Sequence, residues 1–165
     1  MITALDTNIL LDILIPDAPQ GDASEESLTR SLEAGSVVIS EAVYAELSAH
    51  FSTREEIDRF LQETDIHPYP SGADALYLAG KAWLKYLHLR SNAAICSLCG
   101  TAQDFHCAGC GSSLLPRQHV VTDFLIGAHA SIHADRLLTR DRGYYRTYFP
   151  DLQLVPSCIN QRKIV

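Results

Sequence analysis

Strand-like runs alternate with helical stretches along most of this chain, and that alternation limits its possible folds more than any other feature. The runs are Ile2–Leu5, Val37–Ile39, Arg136–Thr139 and Leu152–Val155, with a further extended piece over Asp65–Tyr69. Between them the apolar residues return at helical spacing. This predicts helices over about 7–14, from Ser24-Glu25-Glu26 to near Gly35, and from Ser40 through Val43, Tyr44 and Leu47. Another starts at Ser52-Thr53, with Ile57, Phe60 and Leu61 facing a core. The longest runs from Ser71 to about Arg90 on the spacing Leu76, Ala79, Trp83, Leu87. A last long one, capped by Thr122, runs from Asp123 to about His133, and a short helix follows Asp141. Pro16–Asp22, with two prolines and a glycine, reads as a loop. Strands alternating with helices define an α/β fold with a mainly parallel central sheet. Ligands in such folds sit at the carboxyl ends of the strands.

The chain's 165 residues suit one domain over 1–165 with a small insertion. No apolar run approaches the ~18 residues that span a bilayer. The start, MITALDTNIL, lacks the basic flank of a signal peptide. A cytoplasmic protein without membrane contact is therefore expected. Twenty acidic residues against 13 Lys and Arg give a formal charge of −7. That argues against a broad basic face wrapped in nucleic acid. It does not argue against a nuclease, because a cation can meet phosphate where side chains do not.

The acids fall where the fold makes them informative. Asp6 ends the first strand, Asp141 follows the strand that ends at Thr139, Asp123 comes directly after Val120-Val121, and Glu46 lies in the helix after Val37–Ile39. Each has an ordinary reading taken alone: a helix cap for Asp6, a macrodipole partner for Asp123, a solvated helix residue for Glu46, a turn or ion pair for Asp141. Together they would meet at one rim of one sheet. Two unit charges ~4 Å apart at an effective dielectric of ~20 repel by about 4 kcal/mol, so such a group calls for a cation or protons. Mg²⁺ and Mn²⁺ prefer carboxylate and water oxygens, and such ions can clamp a phosphodiester undergoing hydrolysis.

Four stretches then carry a family resemblance: Asp6-Thr7-Asn8-Ile9-Leu10-Leu11, Val43-Tyr44-Ala45-Glu46-Leu47, Asp123 to Ala130, and Leu138 to Tyr145. Spread across nearly the whole chain, they make it resemble PIN-domain proteins, including the VapC-type toxin ribonucleases. The resemblance implies a three-layer α/β/α fold and a metal-dependent endoribonuclease. It implies that Asp6, Glu46, Asp123 and Asp141 hold Mg²⁺ or Mn²⁺, that Asn8 buttresses Asp6, and that Thr139 bonds the metal site or the phosphate. It further implies in-line attack by water, 3′-hydroxyl and 5′-phosphate ends, a homodimer, and an antitoxin partner whose tail blocks the cleft. An RNA-processing PIN endonuclease without antitoxin is the second reading, and a non-catalytic RNA- or protein-binding module the third. For RNA contacts, Arg140 and Arg142 are the candidates, within a basic segment that also holds Arg136 and Arg146. Tyr144 and Tyr145 beside them are placed either to stack on an unpaired base or to fill the core.

From 92 to 117 the apolar periodicity is lost, and two C-x-x-C-G motifs appear: Cys96-Ser97-Leu98-Cys99-Gly100 and Cys107-Ala108-Gly109-Cys110-Gly111. Four thiolates at this spacing suit a tetrahedral structural Zn²⁺, and a small insertion without a core needs such a staple. The segment is therefore read as an inserted four-cysteine zinc ribbon over 92–117. An iron–sulfur cluster, disulfides or free thiols are the alternatives, as is His106 replacing one Cys. The usual small PIN toxin lacks this insertion. Cys158 reads as a lone thiol. His129 and His133, four apart on a helix face, read as core-packed or supporting residues rather than a zinc pair.

Overall fold

We describe the protein from a computed structural model that covers residues 1–89, 93–95, 102–114 and 121–156. Its centre is a five-stranded, all-parallel sheet. The chain enters through β1 (Ile2–Leu5), α1 (Thr7–Leu14), α2 (Gly21–Ala34) and β2 (Ser36–Ile39). It continues through α3 (Glu41–Ser48), α4 (Arg54–Glu63), β3 (Ile66–Pro68) and α5 (Gly72–Leu89). Then come β4 (Ala93–Ile95), β5 (Ala102–His106) and β6 (Ser113–Leu114), followed by α6 (Val121–His133), β7 (Arg136–Thr139), α7 (Arg142–Tyr148) and β8 (Leu154–Pro156). The main sheet has the order β3-β2-β1-β7-β8. β4, β5 and β6 form a separate antiparallel sheet.

Three consecutive residues are buried in each central strand: Thr3, Ala4 and Leu5; Val37, Val38 and Ile39; Leu137, Leu138 and Thr139. Successive side chains on a strand point to opposite faces, so both faces of the sheet are covered. The result is the expected α/β/α layering. β1 pairs with β2 on one side and β7 on the other, and the strand order reverses there. A crevice opens outside the carboxyl ends of strands at such a reversal. Asp6 and Asp141 flank it from the ends of β1 and β7.

Local chemistry sets the boundaries. Ser40 caps α3 by accepting from the Val43 N–H. Thr53 and Glu56 form a reciprocal capping box at the start of α4. Gly35 brings the chain from α2 into β2 with φ at 150°, against the first residue of the chain, where a Cβ would stand 2.1 Å from the Met1 carbonyl oxygen. Only glycine fits there.

Several elements differ from the sequence reading. α2 begins at Gly21 rather than Ser24, and β8 ends at Pro156 rather than Val155. α5 buries Ala75, Ala79, Ala82 and Tyr86, while Leu76 is 49% exposed. Two overlapping apolar stripes run along that helix, and only packing on α6 selects between them. Thr122 lies inside α6 rather than at its cap, because the helix already starts at Val121. Cys96, Cys99 and Cys158 lie outside the described residues. No helix among the described residues is long and apolar enough to cross a membrane.

Candidate active site

Asp6 leaves β1 at the position that would cap α1, but its side chain makes no cap bond. Three donors hold its Oδ2 instead: Thr139 Oγ1 at 2.6 Å, Asn8 Nδ2 at 2.7 Å and the Tyr145 hydroxyl at 3.2 Å. The residue is only 7% exposed. Burial pushes its carboxyl above the ordinary range against these bonds, and the charge of Asp123 pushes the same way. A carboxylate so braced is shaped for a task other than starting a helix.

Glu46 comes from α3, half-buried, with the Thr7 hydroxyl donating to its Oε2. Asp123 sits in the first turn of α6, and so reaches the cleft from a helix rather than from a strand end. Asp141 caps α7, accepting from the Tyr144 N–H at 3.3 Å. Thr139 joins β7 to the group: besides donating to Asp6 it accepts from the Asp141 N–H at 3.0 Å and from Asn8 Nδ2 at 3.3 Å. It is fully buried, so it serves Asp6 and cannot reach a phosphate. All four acids line one cleft of about 480 Å³, with Thr7, Asn8, Leu11, Ala49, His50 and Tyr145 completing its wall.

Among the described residues no group of three or more His, Cys, Asp or Glu is already gathered into a metal cage. The cleft is instead an open, acid-lined one. Mg²⁺ characteristically keeps several waters and takes only one or two carboxylates, so the donor set fits a hydrated hard ion better than a soft one. The upward push on Asp6 is an electrostatic debt that a cation there would cancel.

The basic segment does not stay together. Arg136 opens β7, three residues or about 10 Å before its acidic end, and donates to Thr3 Oγ1 at 2.9 Å. Arg140 turns back to pair with the buried Asp12 at 3.0 Å, which Ser24 also bonds at 2.7 Å. Its backbone N–H donates to Asn8 Oδ1. Arg140 thus braces the β7–α7 turn through Asp12, a residue the sequence reading passed over. Arg142 begins α7, half-exposed, and Arg146 lies exposed in its last turn. Tyr144 and Tyr145 are both buried, so neither can stack on a base. Tyr145 joins the site through Asp6, and burial followed by the Asp6 charge keeps its phenol protonated. Thr7 and Tyr145 take site roles, on Glu46 and Asp6, that the sequence reading does not assign them. Thr7 adjoins Asp6 in sequence, but nothing in sequence announces its bond to Glu46.

His129 is core-packed, 1% exposed. Its Nδ1 lies 3.3 Å from Ser71 Oγ, which donates to Glu41 Oε2 at 2.7 Å, and His133 Nε2 donates to the Ser71 carbonyl. Burial, then the neighbouring His133, lowers His129 to about 4. This network ties α6 to α3, the helices that carry Asp123 and Glu46.

The class defined by fold and cleft is an α/β protein of PIN-like architecture with an acidic site at the strand reversal. Solved structures share that fold. VapBC2 from Rickettsia felis, bound to a DNA fragment from their promoter, matches with a TM-score of 0.58 and 20% identity, over 94% of this chain and 98% of that one. FitAB bound to an IR36 DNA fragment matches at 0.53 and 17%, over 95% of each chain. FitAcB from Neisseria gonorrhoeae matches at 0.52 and 18%, over 93% of this chain and 96% of that one. No protein-family model matches the chain, and no curated protein matches its sequence.

Proposed function

We propose that the chain is a Mg²⁺- or Mn²⁺-dependent endoribonuclease, the VapC-like toxin of a toxin–antitoxin pair. The observation that carries this is the convergence of Asp6, Glu46, Asp123 and Asp141, from four separate elements, on one cleft at the strand reversal. The four acids are the residues to hold the ions, with Asn8, Thr139 and Tyr145 fixing Asp6 and Thr7 fixing Glu46. When bound, the ions would offset charge on phosphate and lower the pKa of a water nucleophile. The protein's part is to orient these oxygens without reorganisation and to leave the cleft open to a strand. Cleavage gives a 3′-hydroxyl and a 5′-phosphate. The fold shared with VapBC2 and FitAB supports a cognate antitoxin as partner, and we place the protein in the cytoplasm as a homodimer. Arg142, on the first turn of α7 beside Asp141, is the better remaining candidate for a phosphate contact, Arg140 being held by Asp12.

We infer a structural Zn²⁺ in the 92–117 insertion, held by Cys96, Cys99, Cys107 and Cys110. The described half supports this. The turn from Cys107 closes through Gly111 N–H to the Cys107 carbonyl and Cys107 N–H to the Ser112 carbonyl, both at 2.8 Å. Gly111 takes φ of 73°, and a hydrogen bond with Ser112 holds the Cys110 thiol below its ordinary range. A thiol so poised is ready to ligate a metal.

The test is cleavage of total cellular RNA by the full chain with Mg²⁺ or Mn²⁺ against EDTA, comparing wild type with Asp6→Asn. Metal-dependent cleavage that Asp6→Asn abolishes is the expected result. Equal cleavage by both proteins would sink the assignment of the site.

A further inference from the structure

The acid cleft contains one polar side chain to which the nuclease reading gives no role. Ten residues line it, and those with a proton to donate are Thr7, Asn8, Tyr145 and His50. Three of the four are committed: Thr7 to Glu46, Asn8 and Tyr145 to Asp6. His50 makes no side-chain hydrogen bond among the described residues and is exposed. Its position is set by the end of α3. Ala49 stays helical at φ −67° and ψ −14°, and the His50 N–H donates to the Leu47 carbonyl at 2.9 Å, so the chain turns once more and brings His50 to the cleft wall. The remaining titratable lining groups are Asp6, Glu46, Asp123, Asp141 and Tyr145. The four carboxyl groups are the candidate cation holders, and Tyr145 is buried on Asp6.

Hydrolysis at a bridging phosphodiester has two proton demands. Water adds its oxygen to phosphorus and gives up a proton to solvent. The bond from phosphorus to the 3′-oxygen breaks, its electron pair stays on that oxygen, and the oxygen must gain a proton to leave as a hydroxyl. Carboxylates and hard cations serve the first half of this exchange, and a side chain placed to give a proton serves the second. Imidazole is the side chain that gives and takes protons near neutrality.

Resting on the nuclease reading above, we propose that His50 is a catalytic residue, the general acid that protonates the departing 3′-oxygen. It recovers its proton from solvent, to which it is open. General acid catalysis contributes typically about 10²–10⁴-fold in rate. The ordering of substrate by the rest of the cleft is unaffected by losing it, so the loss falls on kcat rather than KM.

The experiment takes an oligonucleotide spanning a site that the wild-type enzyme cleaves, made once with the natural linkage and once with sulfur replacing the scissile 3′-oxygen. A thiolate leaves without a proton. With Mn²⁺ present, His50→Ala and His50→Gln should both fall about 10²–10⁴-fold in kcat on the natural substrate. On the sulfur-bridged substrate both should return to within a few-fold of wild type. Wild-type rates for His50→Ala on natural RNA overturn the proposal. Equal slowing on both substrates also overturns it, as does full rescue by Gln, which keeps an N–H donor but cannot transfer the proton. Asp6→Asn run alongside separates the two levels: an active wild type and a dead Asp6→Asn beside an unimpaired His50→Ala defeat the role of His50 only. No cleavage by wild type defeats the nuclease reading and this inference together.

Discussion

Asp6 stands at a cap position and is not used as a cap. Its carboxylate is raised by burial and by Asp123. A raised carboxyl binds its proton more tightly folded than unfolded. Its contribution to stability therefore falls as pH climbs from the ordinary carboxyl range into the raised one. Asp6→Asn should consequently melt higher than wild type in EDTA at pH 7.5. About 1 kcal/mol corresponds to about 2–4 °C for a chain this long. Mn²⁺ should then raise the wild-type melting temperature and leave the variant unmoved, which paired thermal melts would read. His129 has the opposite sign. It is held neutral, down to about 4 from the ordinary 6.5, among Glu41, Ser71, Tyr69 and His133. Its contribution is complete above pH 6.5 and is lost as pH falls toward about 4. That shift is worth at most about 3 kcal/mol. Urea unfolding at stepped pH should show wild type losing more stability over that window than His129→Gln; parallel curves would refute the assignment.

α6 shows how one helix is held against another part of the chain. Gly127 sits one turn after Asp123, and a Cβ there would meet Phe149 Cε2 at 2.3 Å. Phe149 is buried at the end of α7 and cannot move aside. Alanine normally gains about 1 kcal/mol over glycine inside a helix. Here overpacking reverses the sign, and Gly127→Ala should lose about 1–3 kcal/mol in chemical denaturation. An unchanged or stabilised variant would mean that α6 and α7 pack less closely than described. The same helix shows why boundaries escaped the sequence. Thr122 looks like a cap, but its place inside α6 depends on where the chain re-enters from the insertion. Likewise the alanine face of α5 beats the leucine face because small residues let two long helices approach closely.

Across the molecule, an acid-lined cleft and a small cysteine-bearing sheet share one chain. If the insertion holds zinc, protein purified without chelator should carry about one zinc per chain by elemental analysis. Cys107→Ser should lower that content, while the main sheet, with its own core, keeps its far-ultraviolet signal. Iron in place of zinc would point to a cluster, and no metal would return the cysteines to free thiols.

Much of this was readable from residues alone. The parallel α/β class followed from alternation, and the candidate acids followed from a rule about strand ends, because both depend on local periodicity that a short window contains. Asp6-Thr7-Asn8 already held the acid and its brace. What could not be read were the contacts between distant segments: Tyr145 on Asp6, Thr7 on Glu46, Arg140 on Asp12, and His50 at the cleft wall. The basic segment is the clearest case, since four arginines close in sequence were sent to different places by a strand, a turn and a helix. Sequence neighbours share a local conformation, but which side chains meet is set by how layers pack. That packing is a sum over the whole core which no single stretch encodes.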